Sequence, residues 1–161
     1  MNATAIPVDE LTGQLLDAAD GILADTAAAG LIISHENFLH RDAFRRIIST
    51  GASISTGQPL ATIGWDAALR ALDAGQMPCA SSEQAILRIA ASLGDPAIGV
   101  RLRTVLGNLD RRNITLVTDA VTAANGQPIT ASGAAWPSDR LPHPVLAFIR
   151  SAGPSGSPYP C

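Results

Sequence analysis

The sequence predicts one all-α or mostly α domain, and three observations carry that expectation. Two stretches repeat apolar residues at helical spacing between clear start and stop signals: Ile86, Ile89, Ala90 and Leu93 after Ser81, and Ile114, Val117, Ala120, Val121 and Ala124 after Asp110. A length of 161 residues suits a single core. The hydrophobic share of 47% contains only 4% aromatic residues, and much of the remainder is alanine, which lets helices pack closely. Five or six helices are expected, with those near 82–93 and 111–125 in the centre. The alternative adds a small winged-helix-like sheet.

Taken in order, residues 1–7 read as a flexible leader and 8–150 as the helical domain, whose central stretch is 81–126. From Val8 the positions Leu11, Leu15, Ala18, Ala19, Ile22 and Leu23 share a face, with Asp9 and Glu10 in the first turn, where they complement the helix dipole. Ala27–Ser34 holds an apolar run too short to assign among strand, coil and helix start. Ser34 then offers an N-cap to a helix carrying Phe38, Leu39, Ala43, Ile47 and Ile48 on one side and Arg41, Arg45 and Arg46 on the other, stopped by Gly51. Residues 51–64, with three glycines, a proline and several hydroxyls, read as a loop. Trp65, Ala68, Leu69 and Leu72 predict a short helix ending at Gly75.

The central stretch opens with Ser81 as cap and Gln84 three residues on, the spacing of a capping box, and closes its first helix at Gly94 as a left-handed stop. Ile98–Val100 is β-permissive, and Leu102–Leu109 predicts a short helix. Asp110 caps the next helix, which Asn125 and Gly126 terminate. Beyond residue 126 seven prolines leave room for one helical turn or two at most, at Pro144–Arg150, and 151–161 has the composition of a disordered tail.

Charge and motifs exclude several functions. The net charge is −3, and residues 1–25 hold five acids (Asp9, Glu10, Asp17, Asp20 and Asp25) without a base, so a general polyanion-binding surface is not expected. The longest apolar runs fall short of a membrane span, and acids stand where a secretory signal places bases. A cytoplasmic protein with no membrane partner is the expectation. Cys79 and Cys161 are too few and too far apart for a disulfide framework or zinc site. His35 and His40 are five residues apart, about 140° around a helix, so they do not reproduce the zinc-protease pair. No nucleophile elbow or phosphate loop occurs, and neither a catalytic set nor a metal or other cofactor is expected.

One local charge stands out. Residues 97–118 contain Arg101, Arg103, Arg111 and Arg112 against the single acid Asp110. The run SSEQAILRIAASLG, followed by a short helix, a tight turn and a longer helix, resembles winged-helix and helix-turn-helix modules over residues 81–133. That resemblance implies a DNA-binding regulator in which Arg101, Arg103, Arg111, Arg112 and Asn113 meet phosphates and base edges. The segments GWDAALRALDAGQMPCASSEQAILRIAASL and LDRRNITLVTDAV are also similar to a group of uncharacterised proteins of high-GC actinobacteria, from about Leu31 to Gly126, a resemblance that implies no activity. The first functional expectation is a small regulatory module that binds a protein partner or a second copy of itself; DNA binding through 81–126 is the alternative.

Overall fold

A computed structural model describes residues 3–127, and the Pro-rich segment and tail expected beyond Gly126 fall almost wholly outside them. The described residues are mostly helical with one two-stranded antiparallel sheet, as expected for the class. The axis of the fold lies elsewhere than the sequence suggests. It is α2, Leu23–His35, which packs against α1 (Val8–Ala19), α5 (Ser81–Gly94) and α7 (Arg111–Ala124).

Ala27, Ala28, Ala29, Gly30, Leu31 and Ile32 of α2 are all buried. Six consecutive residues sweep more than a full turn, so this part of the helix has no solvent face and its sequence has no period to read. That is why a run left open among strand, coil and helix start is in fact the central helix. The helices α5 and α7 pack on it and touch each other; α5, with Ala85, Ile86, Leu87, Ile89, Ala90 and Ala91 buried, is central as expected, and α2 is the central helix that the sequence did not mark. Gly21, at φ +86°, ends α1 instead of lying within it, and the Thr26 hydroxyl donates to the Ala19 carbonyl at 2.9 Å, tying the end of α1 to the start of α2.

The helix expected from Ser34 to Thr50 does not form. The chain leaves α2 at Glu36, passes a 3-10 turn at Phe38–His40 and a single helical turn, α3 (Asp42–Arg45), and enters β1 (Ile48–Ala52). Of the expected apolar face Phe38, Leu39 and Ile48 are buried and Ala43 and Ile47 partly so, while Phe44, outside that face, is fully buried, because the chain follows a different path. β1 pairs with β2 (Pro59–Ile63) in the register Ile48↔Ile63, Thr50↔Ala61 and Ala52↔Pro59. The expected loop of 51–64 shrinks to 53–58, closed by the Ser53 N–H donating to the Gln58 carbonyl at 2.8 Å and by Gly57 at φ +71°.

α4 (Trp65–Asp73) ends at Gly75 as expected. In α5 the cap shifts by one residue, because the Ala80 N–H donates to Glu83 Oε2 at 2.8 Å; Glu83, not Gln84, closes the first turn. Gly94 is not left-handed. It lies inside α5 beneath the Trp65 indole, where a Cβ would sit 2.2 Å from Nε1. No strand forms at 98–100, and α6 (Leu102–Leu106) stops three residues early. α7 starts as expected, with Asp110 Oδ1 accepting from the Asn113 N–H at 2.8 Å, and ends at Gly126 with φ +72°. Its buried residues, however, are Asn113, Leu116, Val117, Asp119 and Ala120, while Ile114 and Val121 point outward.

Within the expected leader, Ala3–Ala5 forms a 3-10 turn, and Ala3 and Ile6 are buried. The Arg45 guanidinium donates to the carbonyls of Ala3 and Ile6, so this part of the leader is fastened to the core.

Candidate functional site

The five sequence-predicted residues occupy the α6–turn–α7 corner, but they do not act as one set. Arg101, Arg103, Arg111 and Arg112 are exposed, on either side of the four-residue turn Gly107–Asp110. Asn113 is buried, and its side-chain amide donates to Asp110 Oδ2 at 3.3 Å. It belongs to the cap of α7, which corrects its expected role at base edges. Arg112 lies 3.6 Å from the Glu36 carboxylate.

The same corner adjoins a polar cluster at the end of α2. Glu36 has φ +67°, and the Asn37 N–H donates to the His35 carbonyl at 2.8 Å. This is a γ-turn of the strained, positive-φ kind, rare for a residue with a side chain. It turns the chain so that Asn37 and Arg41 meet Glu83, more than forty residues on. Arg41 Nη2 donates to Glu83 Oε1 at 2.6 Å and Asn37 Nδ2 to the same oxygen at 3.2 Å. Arg41 Nη1 donates to the Pro78 carbonyl at 3.0 Å and reaches Cys79 Sγ at 3.1 Å. The three arginines expected on one helix face are thereby separated: Arg41 binds Glu83, Arg45 binds the N-terminal turn, and Arg46 is exposed.

Electrostatics set the protonation of this cluster. Burial opposes ionisation of Glu83, but the Ala80 N–H, the Arg41 and Asn37 hydrogen bonds and the Arg41 charge outweigh it and hold the carboxyl below its ordinary value. Burial pushes the Cys79 thiol up despite the neighbouring guanidinium, leaving it protonated and a poor nucleophile at neutral pH. His35 is only 6% exposed, and its Nδ1 has no hydrogen-bond partner among the described residues. Burial holds its pKa below the ordinary value, opposed by Glu83 and assisted by Arg112 and Arg41. The cluster thus holds an ion pair, a neutral imidazole and a neutral thiol, which suits it to fixing the chain path after α2. Among the described residues no three His, Cys, Asp or Glu side chains come together to hold a metal ion.

A different feature faces solvent. Ile114 and Val121, seven residues apart on α7, are 39% and 52% exposed. Between and beside them the hydroxyls of Thr115, Thr118 and Thr122 donate to the carbonyls of Arg111, Ile114 and Thr118 in the same helix, so the threonines contribute methyl groups more than free donors. Leu23, also exposed, comes to the C-terminal end of α7, since its Cδ1 lies 3.3 Å from where a Gly126 Cβ would be. Leu102 and Leu106 of α6 are exposed as well. The spacing puts Ile114 and Val121 on one apolar face with Val117 and Ala120, and the outward placement of the first two has no local signal.

No helix among the described residues is long and apolar enough to cross a membrane. In comparisons with known proteins, no family model, no curated protein and no solved structure matches this chain.

Proposed function

We propose that this chain is a small interaction module that binds a second copy of itself through α7 in antiparallel fashion. The observation that carries this is the outward pair Ile114 and Val121, with the exposed Leu23 of α2 near the C-terminal end of the helix, on an α7 whose opposite face is buried against α2 and α5. A helix face with i, i+7 apolar spacing and internally bonded hydroxyls is built to be covered. Charge favours a second copy as the cover. Arg111 and Arg112 stand in the first turn of α7, and the last turn holds no base, which is the unfavourable order for the dipole of a lone helix. In an antiparallel pair the arginines of each copy lie beside the C-terminal carbonyls of the other, and the interface is self-complementary as a two-fold dimer requires. A 14-residue helix is only about 21 Å long, so Leu23 and the exposed leucines of α6 are needed to approach the roughly 1,200 Å² of a stable interface.

Sedimentation of the full chain across a concentration series tests this reading. A concentration-dependent dimer is expected, with Ile114→Asp/Val121→Asp monomeric but still folded. Arg111→Glu separates dimerisation from stability: it should raise the stability of the isolated fold by about 0.3–1 kcal/mol through the dipole while weakening the dimer. A wild type that is monomeric at every concentration rejects the proposal, whether another protein or residues 128–161 cover the stripe instead.

DNA binding is the second reading, supported by the α6–turn–α7 geometry with four exposed arginines around it. Duplex titrations at about 50 and 200 mM salt check it: Arg111→Ala/Arg112→Ala should flatten the log–log salt slope by up to about two. Absence of any binding to duplex at the lower salt removes this reading.

A further inference from the structure

Away from α6 and α7, a cavity of about 200 Å³ opens between α1, α2, β2 and the junction of α4 with α5. Leu15, Ala29, Ala61 and Ile63 give it apolar walls, and Asp25, Thr62 and Trp65 give it its polar and aromatic groups. We infer that this cavity is a binding site for a small organic cation, a protonated amine of metabolite size, held by the Asp25 carboxylate against the Trp65 indole.

Four features lead there. The volume lies below the roughly 300–1,000 Å³ of pockets for drug-sized ligands, so the occupant is small. Asp25 is half-buried in the first turn of α2, and no hydrogen bond or ion pair joins its carboxylate to another described residue; a carboxylate lining a recess without a cationic partner favours a ligand that supplies one. Trp65 is fixed in the wall because Gly94 leaves room for the ring and for nothing else, a Cβ there lying 2.2 Å from Nε1, and an aromatic ring attracts ammonium groups within about 6 Å. Finally, the surroundings are acidic: Asp17 and Asp20 are exposed on either side of the lining residues Ala18 and Ala19, and residues 1–25 hold no base, so cations are concentrated at the mouth.

The four features make a discriminating prediction possible with one carbon skeleton in three charge states. The full chain, labelled with nitrogen-15, is titrated with isopentylamine, isopentanol and isovalerate, following the Trp65 indole N–H, which Trp65→Phe distinguishes from Trp136. The amine should produce a saturable shift and bind about tenfold more tightly than the alcohol, the factor that about 1.4 kcal/mol of charge-assisted hydrogen bonding supplies. Isovalerate should produce none. Asp25→Asn should bring the amine down to the affinity of the alcohol and leave the alcohol unchanged. Equal affinities for amine and alcohol in the wild type overturn the proposal and leave an unselective recess, and no saturable shift from any probe overturns it outright. The wild-type comparison stands even if the Asp25 variant folds poorly. No lining residue belongs to α6 or α7, so Ile114→Asp/Val121→Asp should bind the amine as the wild type does.

Discussion

Glu83→Gln probes a polar contact between the two halves of the chain. The carboxylate accepts from the Ala80 N–H, from Arg41 and from Asn37, so it caps α5 and anchors the segment after α2 at once. Glutamine keeps an acceptor for the cap and loses the charge opposite Arg41. Removing one member of a fully buried ion pair costs about 3–5 kcal/mol, and an exposed pair is worth only about 0–1 kcal/mol. The side chains of Glu83 and Arg41 are 11% and 30% exposed, and Arg41 keeps the Pro78 carbonyl as an acceptor. A loss of about 1–2 kcal/mol for Glu83→Gln follows, rising to about 3 kcal/mol for Glu83→Ala, where a cap worth about 1 kcal/mol goes too. Urea denaturation at pH 7 measures both.

The pH dependence gives that prediction its sign. The pKa of Glu83 is depressed in the fold, so its contribution is present above the ordinary value of 4.5 and is lost as pH falls through the folded value. The difference between wild type and Glu83→Gln should therefore shrink below pH 4.5. His35 is also depressed, from 6.5, and costs stability as pH falls below that value, because the unfolded chain takes up the proton first. Glu83→Gln removes the carboxylate that opposes this depression, so the variant should be somewhat more acid-sensitive between pH 6.5 and 4.5. A variant as stable as the parent at pH 7, or a difference that stays constant from pH 7 to 3, would refute the assigned role of the ion pair.

Two substitutions test the packing. Gly94→Ala forces a methyl group into the Trp65 ring and should cost about 1–3 kcal/mol as overpacking; indole fluorescence of a Trp136→Phe background should report the displaced ring, and unchanged emission with unchanged melting would mean the two do not touch. Ile89 is 3% exposed, so Ile89→Asp should cost several kcal/mol and unfold the domain, checked by circular dichroism; melting like the parent would place that face of α5 in solvent.

What the sequence determined by itself were events decided within a turn of chain. Asp110 caps α7 through the N–H three residues on, and Gly75 and Gly126 take the positive φ that ends a helix; such contacts need no third party, and they were legible together with the helical class. Tertiary structure decided the rest. Gly94 has the residue type of a stop but is required by the Trp65 ring across the fold. Gly51 became part of a strand because Leu60 pairs with it. The apolar residues of α7 cover more than one face, and only the presence of α2 selects Leu116, Val117 and Ala120 for burial and leaves Ile114 and Val121 outside. Arg41 and Glu83 meet because a strained turn at Glu36 directs the chain there. Local hydrogen bonding fixes where a helix begins and ends, whereas the choice of face and of distant partner depends on which surface the rest of the chain offers for burial.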